Sequence, residues 1–193
     1  MRKILFVAVL AVASLAVYAQ PRAIGGRLGG FNGFSYQHSL GENNMIEIEA
    51  GFSIDGRLDY WQKAAGETFH GRFWGHNVQA AFTYDWIDPF GAKFPWEHKG
   101  EWHWYLGAGA AGGFGWDASY IVFNQAGTSA LSWGYAGGAG RFGVEYDFWF
   151  PLQLSLDYRP TVGLGLYEYG NGGAKGALYW EVTSVCLGVR YKF

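Results

Sequence analysis

A histidine within reach of a serine and an acid can drive acyl transfer, and this 193-residue chain holds five histidines. His70 and His76 with Ser53, Ser119 or Ser132 are the combinations to weigh. No spacing ties them together, and alternation along the chain points His76 and Ser53 to opposite faces. His98 and His103 lie elsewhere, where Glu101 could simply hold His103. HExxH, CxxC, GxSxG and phosphate-cradling glycine loops are all absent, so no catalytic residue, metal or cofactor is expected. Cys186 is the single cysteine, which excludes an intramolecular disulfide.

Charged residues do recur in a pattern. Arg27, Glu47, Glu49, Asp85, Glu101, His103, Arg141, Glu145, Asp147, Asp157, Arg159, Arg190 and Lys192 all fall on the polar side of segments that alternate apolar and polar with period two. From Leu152 the even positions read Leu, Leu, Leu, Tyr, Pro, Val, Leu, while the odd ones read Gln, Ser, Asp, Arg, Thr, Gly. Thr183 to Phe193 repeats the pattern, as do segments around Ile46, Val78 and Phe142. Acids and bases gathered on one face of a sheet can neutralise one another, provided that face is turned inward.

Composition favours that inversion. Half of the residues are apolar, 20% are aromatic and only 16% are charged, with 31 glycines and 10 tryptophans. Ordinary soluble domains carry roughly 25% charge. Residues 1–19 have the order of a secretory signal: Arg2 and Lys3, an apolar run, then a small-residue exit at Ala19. Removing them takes the formal net charge from −2 to −4, and no basic run remains, which disfavours nucleic acid as a partner. The expected organisation is a signal peptide over 1–19 and one domain over 20–193. No later apolar run is long enough for a spanning helix, so a membranous chain must be a closed barrel.

Seven segments are evident, over 22–40, 44–54, 76–87, 101–116, 131–148, 151–165 and 179–193. A barrel with both ends on one side needs an even number. Asn32-Gly33 is a strong hairpin signal and divides the first segment into 22–30 and 34–40. The fold expected is all-β, an eight-stranded antiparallel up-and-down transmembrane β-barrel. Long connections over 55–75, 117–130 and 167–178 fall on one rim, and short turns over 41–43 and 149–150 on the other. Residues 88–100 form a turn longer than that rim should have. Trp86, Trp102, Trp104, Phe148, Trp149, Tyr191 and Phe193 then gather at the rim of the short turns, and Phe52, Trp116, Trp133 and Tyr179 at the outer one, that of the long connections.

The stretches AIGGRLGGFNGFSYQH (23–38) and GRFGVEYDFWFPLQLSLDYRP (140–160), with the ending VRYKF (189–193), resemble the small bacterial outer-membrane β-barrel proteins. The most specific element is the last strand, in which Leu187, Val189, Tyr191 and the terminal Phe193 resemble the signal read by the barrel-assembly machinery. The resemblance implies an outer-membrane address in a Gram-negative envelope, with outer-membrane lipid and that machinery as partners. It implies no single activity, because such barrels include adhesins, structural proteins, small pores and lipid-modifying enzymes.

The residues themselves favour a non-enzymatic envelope protein whose lumen is plugged by paired charges. In that plug Glu145 and Asp147 are expected near Asp157 and Arg159, with Arg190 at about the depth of Asp157. A conducting lumen, a lipid-modifying enzyme and a soluble lipocalin-like binder are the alternatives. The lipocalin has its apolar face inward and needs more surface lysine than this chain supplies. Tyr60, Trp61, Phe69, Phe73 and Trp74 in 55–75 are candidate contacts for an extracellular ligand or protein, or else part of a strand extension. A strip of small outward residues, Ala108, Ala110, Gly112, Ala136, Gly138 and Gly140, reads either as a docking groove or as relief of crowding.

Overall fold

The computed structural model describes residues 22–30, 32–64, 67–89, 100–122, 125–169, 173–182 and 184–193, with only the backbone described at 22, 53–64, 67–75, 117–122, 125–131, 167, 169, 173–175 and 177. The alternating segments form ten strands: β1 (Arg22–Gly29), β2 (Gly33–Ser39), β3 (Asn44–Ala64), β4 (Glu67–Pro89), β5 (Gly100–Val122), β6 (Gln125–Phe148), β7 (Leu152–Tyr158), β8 (Thr161–Tyr169), β9 (Gly173–Glu181) and β10 (Val185–Lys192). β7 and β8 form one stave, interrupted at Arg159-Pro160, where proline has no N–H to give the ladder. β9 and β10 form another, β9 ending at Glu181 and β10 beginning at Val185. The two breaks lie side by side, with the Arg159 amide donating to the Ser184 carbonyl at 2.8 Å. The result is a closed antiparallel barrel of eight staves, as the parity of the sequence requires.

Two rings of different size are stacked in it. Toward the end where Ala23 pairs with Lys192, the ring runs β1-β2-β3-β4-β5-β6-β7-β10 and closes through seven pairs, from Ala23↔Lys192 to Gly29↔Cys186. The β1–β2 hairpin is short. It turns within four residues, with Gly29 at φ 131° and its amide donating to Asn32 Oδ1 at 3.0 Å. Above the hairpin, β9 crosses the gap and pairs directly with β3 at Tyr60↔Tyr179 and Trp61↔Leu178. The upper ring therefore has six staves, β3-β4-β5-β6-β8-β9. Since barrel diameter grows with strand number, the lumen narrows there.

The spans read as long connections are mostly ladder. β3 and β4 remain paired out to Ala64↔Glu67, β5 and β6 to Val122↔Gln125, and β8 and β9 to Tyr169↔Gly173. The strand-extension reading of 55–75 is the correct one for its backbone, while the side chains of Tyr60, Trp61, Phe69, Phe73 and Trp74 lie outside the described residues. So do residues 1–19, where a signal peptide is expected, and 90–99, most of the expected long turn.

Burial follows the alternation stave by stave, with polar residues inside and apolar residues outside. Leu164 is 71% exposed, whereas Arg27, Arg141 and Arg190 are each 1% exposed. Two assignments need correcting. Trp133 and Tyr179 are buried in the lumen and do not belong to the outer aromatic rim, because they share inward parity with Tyr135 and Glu181.

Candidate functional site

The eight-stave storey contains the charges. Glu47 on β3 is its hub. It accepts from Arg190 at 2.7 Å, from Arg27 at 3.2 Å and from Gln37 at 2.9 Å, and it forms an ion pair with Arg141 at 2.5 Å. Arg27 also meets Glu49 and Asp157, and Glu49 in turn meets Arg159. Arg141 reaches Asp85 at 2.7 Å and lies over the Tyr105 ring at 4.3 Å, while the Tyr105 hydroxyl donates to Asp157 at 3.1 Å. Arg190 is completed by Ser35 at 2.5 Å and Ser155 at 2.7 Å. In this low-dielectric interior each of these pairs is strengthened, and any partner left alone would be costly.

The neighbours differ from the sequence expectation. Glu145 lies opposite Ser155 and Asp147 opposite Gln153, whereas Asp157 faces Gly143. Arg190 lies at the level of Gln153, four residues from Cys186, the partner of Asp157. The hairpin register thus separates Glu145 and Asp147 from Asp157 and Arg159, which join Arg27, Arg141 and Glu49 instead. Long guanidinium side chains reach across the lumen to staves far away in sequence, and strand parity cannot predict that. Tyr105, Gln37 and Ser155 are participants that charge alone does not reveal, although the same parity places them inside.

Above them the lumen is aromatic. Tyr135 and Tyr179 have ring centroids 4.2 Å apart, and Trp133 stacks on Tyr135 at 6.0 Å. The Tyr135 hydroxyl donates to Gln79 at 3.1 Å and that of Tyr179 to Glu181 at 2.9 Å. Inward glycines make room: a Cβ on Gly113 would strike the Tyr135 ring, and one on Gly115 the Trp133 indole. Outside, a Cβ on Gly138 would come no closer than 3.9 Å to anything, so crowding does not account for the outward strip at that position.

The third region is a cavity of about 730 Å³ at the end where Ala23 pairs with Lys192. Glu101, His103, Glu145, Asp147 and Lys192 line it. Glu101 is largely exposed and lies 3.8 Å from His103, and Lys192 donates to Asp147 at 2.5 Å. On the outer surface at this end, Trp86 and Trp104 are 5.8 Å apart and Tyr191 and Phe193 6.4 Å apart. Leu187, Val189, Tyr191 and Phe193 all point outward and are exposed. At the far end of the apolar belt His76 packs beside Phe52 and Trp116, and its Nδ1 has no hydrogen-bond partner among the described residues.

No protein-family model and no curated protein sequence matches this chain. Among solved structures, a major outer membrane protein from Thermus thermophilus is similar, with 14% identity, 91% of this chain and 100% of that chain covered, and a TM-score of 0.49.

Proposed function

We propose that the chain is an integral outer-membrane β-barrel that serves envelope structure or surface interaction, with no catalytic role and a lumen closed to ions. The observation that carries this reading is the inversion of its two faces. Leucines and aromatics cover the outside while arginines and carboxylates fill the inside, the reverse of a protein folded for water. Hydrocarbon imposes that order, because backbone groups there must bond within the protein and a closed barrel satisfies them all. A lipocalin-type binder would need the faces exchanged. The segment 1–19 and the outward Leu187, Val189, Tyr191 and Phe193 support export and insertion by the barrel-assembly machinery, with outer-membrane lipid as the solvent of the belt. Strands extended above that belt supply the surface through which an extracellular ligand or protein would be met.

Closure to ions is supported by two obstacles in series: the paired charges and, above them, aromatics in a narrower ring. Planar-bilayer recordings of the purified protein should give no defined conductance steps, and such steps would overturn the plugged reading. Unboiled and boiled samples of the membrane fraction should migrate differently on a gel. Recovery of the protein in the soluble fraction would instead overturn the membrane reading.

A further inference from the structure

We propose that the mouth at the end where Ala23 pairs with Lys192 binds a divalent transition-metal ion through His103, Glu145 and Asp147. His103 on β5 and Glu145 on β6 are direct cross-strand partners, and Asp147 follows Glu145 by two residues on the same inward face. One donor atom from each lies within 4.8 Å of the other two, a spread that small side-chain rotations can contract around an ion with bonds of about 2.0–2.2 Å.

The charge balance of the lumen points the same way. Among the described residues, five carboxylates and four guanidiniums are buried. Glu47, Glu49, Asp85 and Asp157 each pair with an arginine. Glu145, only 3% exposed, is the fifth: it has no ion pair among the described residues, and its one hydrogen bond there is a 3.4 Å contact from Gln37. A buried carboxylate without a cation is costly, and an ion bound beside it would remove that cost. Two further buried atoms of the trio, His103 Nδ1 and Asp147 Oδ1, have no hydrogen-bond partner among the described residues. The adjoining cavity gives access and room for water as remaining ligands.

One imidazole with two carboxylates suits zinc or a neighbouring first-row ion better than magnesium or calcium, which favour oxygen alone. Lys192 holds the other oxygen of Asp147 at 2.5 Å and sets a positive charge beside the site, which repels a second cation there. Its removal should therefore strengthen binding.

Zinc titrated calorimetrically into the purified barrel in detergent should bind at one equivalent. His103→Ala and Glu145→Gln should each weaken binding by more than about tenfold, since even changes in groups that only support a ligand cost roughly 10–100-fold. Lys192→Gln should tighten it, and His76→Ala should leave it unchanged. Heat-modifiable migration verifies that each variant is folded. If a variant fails to fold, X-ray absorption of the zinc-loaded wild type decides, with one imidazole and otherwise oxygen in the first shell expected. Binding that survives in His103→Ala, a shell with two or more imidazoles, or no saturable binding in either wild type or Lys192→Gln would overturn the proposal.

Discussion

The two storeys of the lumen solve the same problem, filling a tube, by different means. In the eight-stave ring the contents are charged, and each arginine pairs with a carboxylate from a distant stave. In the six-stave ring they are rings stacked on their neighbours, with glycines opposite to make space. The wider ring leaves a gap that only long side chains can bridge, and bridging with charges demands complete pairing. The narrower ring can be filled by bulk. Stability should therefore be concentrated in a few carboxylates below and spread over contact area above.

The sharpest way to break that contrast is Glu47→Ala, which strips the shared carboxylate from three guanidiniums. The cost should exceed the roughly 3–5 kcal/mol of a single broken buried pair, and the heat-modifiable band should be lost or its urea midpoint should collapse. Asp157→Ala removes the partner of Arg27 and Tyr105 and should cost about 3–5 kcal/mol, read as a lower melting temperature; an unchanged curve would mean that the lower storey is not a cooperative network. In the upper storey, Tyr135→Phe keeps the stack and loses one bond to Gln79, so its stability in urea should fall by only about 1 kcal/mol. Glu145→Gln, measured with a chelator present, breaks no ion pair and should match or exceed the wild-type midpoint. A fall as large as that of Asp157→Ala would place Glu145 inside the network and erase the distinction.

Much of this was legible in the residues. Alternation assigns the faces of every stave from 76 to 87 and from 131 to 165, and the Asn32-Gly33 turn supplies the eighth strand. Trp133 shows two signals in conflict: the interfacial preference of tryptophan places it at a rim, and the parity that buries Arg141 places it inside, where it is found. Strand ends were not legible, because a bilayer crossing needs only about ten residues, and nothing in the pattern of 55–75 says that pairing continues beyond it. Partners inside the lumen were the least accessible. Arg27 meets Asp157 across 130 positions, which requires ring closure, register and side-chain reach all to be known. The mouth trio is an intermediate case, since each residue was placed inside by parity, but the His103↔Glu145 pairing depends on the length of the β5–β6 connection.

The separate clasp of β9 onto β3 has a mechanical consequence. A tube with a single seam can unroll along its whole length once first and last strands part. Here the β1–β10 seam ends at Gly29↔Cys186, and the collar above is fastened without either of those strands. Separation of that seam opens a slit confined to the lower storey, with the first hairpin as a hinged panel and the upper ring still holding its circumference.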